Sequence, residues 1–210
     1  METLRDILDA AGRGAFPRPD GGTTVVGQPA ARDAGVFAFT AHSVIALDED
    51  PEWVRAALAA TGCDALAAPM NPRFLTALMD RTGRRCDTVD VMLTGAPLPG
   101  GPGPDLREIH DPAHPRVVSS RARRDEVRVW TVDGAVLVLG RGVAGRLEVA
   151  VEVPEEVRQR GLGRELLRAA RRLSGGEPVW AQVSPGNARS LRAFEAAGYR
   201  AVGSELLLRR

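Results

Sequence analysis

Arg158-Gln159-Arg160-Gly161-Leu162-Gly163 is a run whose residue types suit the capture of a phosphate. It lies between a strand-like stretch, Leu147 to Val153, and a helix-like stretch, Arg164 to Leu173. The first N–H groups of a helix have no partner inside it, and the helix dipole is positive at that end, so an anion seats there readily. Gly161 and Gly163 let the backbone approach such an anion with no Cβ in the way. A dinucleotide fingerprint is excluded, because the position of its third glycine holds Leu166. On the preceding strand, Leu147, Val149, Val151 and Val153 alternate with Glu148, Ala150 and Glu152, so the two carboxylates share a face two residues apart. As surface groups they would pair with Arg128 or Arg146 on a neighbouring strand.

Beyond the helix the sequence predicts a second strand, Pro178 to Ser184, and then Asn187 at a helix N-cap. Asn187-Ala-Arg-Ser-Leu-Arg-Ala-Phe-Glu-Ala-Ala-Gly-Tyr199 reads as an Asn-led helix ending in Gly-aromatic. Taken in order with the glycine turn, these elements make about residues 104–210 resemble the GCN5-related N-acetyltransferase (GNAT) superfamily. The resemblance implies an α+β fold: a mixed, mostly antiparallel twisted sheet flanked by helices. It also implies acetyl-CoA as cosubstrate and no metal. The pyrophosphate would be held by Arg158, Gln159, Arg160, Gly161, Leu162, Gly163 and Arg164. The pantetheine arm would lie between two splayed strands beside Val151 and Val153, with Asn187 and Phe194 approaching from the following helix.

Acyl transfer to an amine needs a polarised thioester carbonyl, a deprotonated acceptor, close approach of the reactants and a proton for the leaving thiolate. A backbone amide near Ala150 to Val153 can polarise the carbonyl. Proximity is the larger contribution, since effective molarity can be worth about 7–11 kcal/mol. The family often places a glutamate near Glu148 on this strand, which makes Glu148, and then Glu152, the candidate bases. A carboxylate partly buried in such a cleft suits general-base work. Many members have a tyrosine in the Asn-led helix that protonates the CoA sulfur; Phe194 matches that position and cannot. Tyr199, the only tyrosine, reads as core. Ser190, a helical turn before Phe194, could act through water; otherwise solvent supplies the proton. The resemblance therefore implies an N-acyltransferase taking acetyl to a primary amine of a small molecule or peptide. The alternatives are a catalytically weak CoA-binding regulatory module, or transfer of longer chains or to oxygen.

The elements that must position these residues follow from composition and pattern. The chain has 210 residues, 44% apolar and 26% charged, ordinary for a globular protein with a proper core. Net charge is +1, which gives no broad electrostatic case for nucleic acid. All 28 basic residues are arginine, so side-chain self-acetylation at lysine is excluded. No apolar run reaches membrane-spanning length and no signal core precedes the N-terminal helix, so a cytoplasmic monomer or homodimer is expected. Cys63 and Cys86 are expected as free thiols. His110 and His114 are four apart, but Pro112 and Pro115 break the helix a zinc pair would need. His42 reads as a core or edge histidine.

Residues 1–96 read as an α/β extension packed on the acetyltransferase-like part, supplying a wall of the acceptor site. Residues 2–11 form a helix, Thr23 to Val26 a short strand, and Val36 to Leu47 one strand or a bent pair. Asp50-Pro51 and Asn71-Pro72 each open a helix, with the polar residue as cap and proline in the first turn. Val89 to Leu93 is a strand. Residues 97–104, nearly all proline and glycine, read as a linker to residues 105–210. There Leu106 to Ile109 is a short strand and Pro115 to Arg124 a basic turn or helix. Asp133-Gly134 closes a hairpin between Glu126–Val132 and Ala135–Leu139.

Overall fold

The computed structural model describes every residue except Met1, Pro104, Arg158 and Gln159. In chain order the elements are α1 (Leu4–Gly12), β1 (Thr23–Val26), β2 (Ala34–Phe39), β3 (His42–Ala46), α2 (Pro51–Ala59), α3 (Pro72–Thr82) and β4 (Val89–Gly95). Then follow β5 (Arg107–Glu108), α4 (Pro115–Arg121), β6 (Asp125–Val132), β7 (Ala135–Arg141), β8 (Leu147–Glu152), α5 (Leu162–Arg172), β9 (Val179–Val183), α6 (Ala188–Ala196) and β10 (Arg200–Leu208). The fold is α+β, with mixed and mostly antiparallel strand pairing. No helix among the described residues is long and apolar enough to cross a membrane.

The chain divides into two compact units. The first takes Met1–Met92, Gln182–Gly186 and Val202–Arg210. Its helices start where the sequence places the caps: the Asp50 side chain accepts from Glu52 N–H, and Asn71 from Arg73 N–H. At α1, Thr3 and Asp6 cap each other reciprocally. The stretch from Val36 to Leu47 is a hairpin, β2 and β3, turning at Thr40–Ala41 with Ala41 at φ 51°. β1 runs parallel to β3 on one side of this hairpin. On the other side, β10 pairs antiparallel with β2, Ser204 opposite Ala38 through Leu208 opposite Ala34. Val36, Ile45, Leu206 and Leu208 from these strands close over Val54 and Leu58 of α2 and Phe74 and Leu78 of α3.

The second unit takes Leu93–Ala181 and Asn187–Ala201. Its strands run in the order β9-β8-β7-β6-β5. The β6–β7 hairpin turns at Asp133 (φ 48°) and Gly134 (φ 76°), the left-handed pair that an Asp-Gly dipeptide supplies. Val117 of α4 packs on Val129 and Val138, covering one face of β6 and β7. α5 packs on β7 and β8 with Leu166, Leu167, Ala169 and Ala170 buried. It begins at Leu162, two residues before the position read from the sequence, because Gly161 turns the chain in the left-handed region (φ 80°).

Candidate active site

β8 and β9 are parallel, and their ladder is registered at one pair, Glu148 opposite Trp180, although β8 continues to Glu152. Past that pair the β8 edge carries no registered partner on β9, while its other edge stays paired with β7 as far as Glu152 opposite Val136. Val151 and Val153 beyond the crossing are half-buried.

The chain then reaches the glycine turn. Arg158 and Gln159, two of the expected phosphate ligands, lie outside the described residues. Gly161 is the N-cap of α5 and, having no side chain, supplies no side-chain cap to the first N–H groups of the helix. Among the described residues, a Cβ on Gly161 would come near the tip of Arg164 at 3.8 Å, and one on Gly163 near Val153 at 3.6 Å. Arg160 is exposed and has no carboxylate partner among the described residues. Arg164 and Arg168 both approach Glu165, at 3.8 and 3.9 Å. A cleft of about 590 Å³ runs along α5 from Arg160 and Leu162 to Arg172, with Leu106, Val132 and Asp133 also lining it.

The two carboxylates of β8 have different surroundings. Glu152 is exposed at the open end of the strand and pairs with Arg116 of α4. Glu148 is 3% exposed. Its Oε1 accepts from Arg146 Nε at 3.0 Å and from Val143 N–H at 3.2 Å, and its Oε2 accepts from Arg124 Nε at 3.0 Å. Of the two arginines read from the sequence as surface partners, Arg146 pairs with Glu148 in the interior. Arg128 instead grips Glu108 with two hydrogen bonds of 2.8 Å, which hold the Glu108 carboxyl below its ordinary value. Arg124 and Trp180 escaped the sequence reading. Arg124 reads as the end of a basic turn or helix, with nothing to mark a buried partner, and Trp180 reads as one more apolar strand residue.

On α6, Asn187 caps the helix, its Oδ1 accepting from Ser190 N–H at 3.1 Å, and is itself exposed. Phe194 is buried and meets Tyr199 edge to face, ring centroids 5.0 Å apart. The Tyr199 hydroxyl donates to the Leu167 carbonyl at 3.1 Å, and burial pushes the phenol above its ordinary value. Its ring is buried against Phe194. His114 caps α4, accepting from Arg116 N–H at 3.2 Å. His42 lies in the first unit, between Asp20 Oδ1 at 2.8 Å and Thr24 Oγ1 at 2.9 Å. Both cysteines are free thiols.

No protein-family model matches the chain, and no curated protein matches it. Several of the solved structures that resemble it are described as GNAT or GCN5-related acetyltransferases. One, a protein from Novosphingobium aromaticivorans described as an acetyltransferase from the GNAT family, aligns at 23% identity over 60% of this chain and 66% of that one, with a TM-score of 0.44. A GCN5-related N-acetyltransferase from Kribbella flavida aligns at 16% identity over 64% of this chain and 62% of that one, TM-score 0.40. Another from Sphaerobacter thermophilus aligns at 15% identity over 65% and 56%, TM-score 0.37. The chain thus spans less than two thirds of the length of these three.

Proposed function

We propose that the chain is an acyl-CoA-dependent N-acyltransferase, moving acetyl from acetyl-CoA to a primary amine of a small molecule or peptide. The observation that carries this reading is one continuous arrangement: a parallel strand pair registered only at Glu148–Trp180, leading into a glycine-capped helix whose first N–H groups have no side-chain cap. An open strand edge can receive the amide groups of a pantetheine arm, and an uncapped helix start beside glycines can receive its pyrophosphate. Arg160 and Arg164 flank that position, with Arg158 and Gln159 completing the turn in sequence.

In this reading the amine nitrogen attacks the thioester carbonyl carbon, the C–S bond breaks, and the CoA thiolate leaves. A backbone N–H of β8 beyond Glu148 stabilises the oxyanion. Glu152, the carboxylate at the open end of the strand, takes the ammonium proton directly or through one water. Phe194 has no proton to give, so the thiolate is protonated by solvent. Asn187, exposed at the start of α6, is available to CoA while it caps its helix.

Following free CoA with acetyl-CoA over a panel of amines and peptides, beside calorimetric titration with acetyl-CoA, tests the proposal. Saturable binding together with thiol release on at least one amine is expected; no binding would overturn it. A second reading is favoured by Phe194 alone: a CoA-binding module without turnover. Tight binding with no thiol release over the whole panel would select it.

A further inference from the structure

We infer that Glu148 is a positioning residue that clamps β8 to β9, and so sets how the strands part, rather than a proton acceptor; this rests on the acyl-CoA reading of that opening. Both Glu148 oxygens are occupied by donors: Arg146 and the Val143 N–H on one, Arg124 on the other. A base must lie within hydrogen-bond reach of the proton it takes, directly or through one water. A carboxylate 3% exposed, with a guanidinium on each oxygen, offers an acceptor amine no such approach.

What the carboxylate does instead follows from its partners. Arg146 is itself buried, and its guanidinium stands over the Trp180 ring, 5.1 Å from the centroid. Trp180 is the β9 residue opposite Glu148 at the single registered pair. The chain of contacts runs Glu148 to Arg146 to Trp180, from β8 to β9, at the place where the two strands part. Arg124, just before β6, holds the carboxylate from the other side. Gly142 completes the enclosure, because a Cβ there would overlap the Glu148 carboxyl. The fixed carboxylate holds the guanidinium over the indole. Removing its charge takes the carboxylate away from the buried Arg146 and the partly buried Arg124 and frees the stack.

The test is Glu148→Gln, which keeps the side-chain volume and one acceptor oxygen. In the protein without cosubstrate, the Trp180 indole N–H resonance, assigned by comparison with Trp180→Phe, is expected to shift. Acetyl-CoA affinity should weaken about 10-fold or more, the scale on which small misplacements act. The KM for acetyl-CoA should rise in step, while kcat and the acidic limb of the pH–rate profile stay close to the unsubstituted protein. An unmoved indole resonance and unchanged affinity, with kcat lost and the acidic limb gone, would overturn the clamp and make Glu148 the base. If Glu148→Gln does not fold, Arg146→Lys keeps the buried positive charge but loses the guanidinium over the indole. It should shift the indole and weaken acetyl-CoA in the same way, and wild-type affinity in that variant would also overturn the clamp. If the unsubstituted protein binds no acyl-CoA, the functional reading fails. The indole shift then tests the clamp by itself.

Discussion

Gly161 decides the turn at the scale of one residue. It sits at φ 80°, where an added Cβ would meet the tip of Arg164 in ordinary contact at 3.8 Å, so two properties can be separated by substitution. Asparagine tolerates this backbone region and adds no charge, whereas aspartate adds a negative charge where a phosphate would sit. Gly161→Asp is expected to weaken acetyl-CoA binding by about 10-fold or more, a difference of about 1.4 kcal/mol or greater. Gly161→Asn should lose less, with both variants folded, as calorimetry and circular dichroism will report. Equal losses would place the effect in the backbone. The second residue-scale expectation concerns Glu152. Its replacement by Gln should lower kcat about 10²-fold, with acetyl-CoA affinity retained, the usual size of a lost general base. Retained kcat would move the proton to water. Gly161 and the strand before it were legible in the sequence because backbone freedom and strand propensity are local properties. The burial of Glu148 was not, because the alternation of β8 gives the face and not what covers it.

Hairpins and their tethers set the next scale. In the first unit, Gly203 of β10 faces β2 so closely that a Cβ would overlap the Ala38 carbonyl. Backbone cannot give way as a side-chain tip can, so Gly203→Ala should destabilise by about 1–3 kcal/mol in denaturant unfolding. A neutral result would mean that β10 can shift along its partner. The loop before β1 is tethered by Asp20, which meets His42 Nδ1 at 2.8 Å and Gly22 N–H at 2.8 Å. The hydrogen bond with His42, then that from Gly22, holds the Asp20 carboxyl below its ordinary value. A carboxyl depressed in the folded state stabilises above its unfolded value, near pH 4, and the contribution fades as pH falls through the folded value. Asp6 and Glu108 are depressed as well, so melting temperature should drop as pH falls below about 4. Asp20→Asn should flatten that acid limb slightly, since the group is exposed. An unchanged limb would show that the tether does not persist in solution.

Across the whole chain, the compact units do not follow the proline–glycine stretch at 97–104. The last strand belongs with the first residues: β10 is registered on β2, and Leu206 and Leu208 are buried in the core that α2 and α3 close. A fragment of residues 104–210 would expose that strand edge and those leucines together. It is therefore expected to aggregate or to melt without a cooperative transition, where the full chain melts cooperatively. Scanning calorimetry and light scattering on the fragment check this, and a soluble, cooperatively melting fragment would defeat it.

Several features were set by sequence alone: the helix starts at Asp50-Pro51 and Asn71-Pro72, the Asp133-Gly134 hairpin, the strand β8, the left-handed Gly161 and the Asn187 cap. Each depends on residues within one turn or one strand of each other, where sterics and local hydrogen bonds act without help from the rest of the chain. The tertiary structure alone decided that β1 runs parallel to β3, that β10 returns to β2, and that Glu148 is held by Arg124 and Arg146 beneath Trp180. Those outcomes join residues far apart along the chain. Their free energy comes from burial, and from pairing charges that burial strips of water, and neither is set before the strands have met.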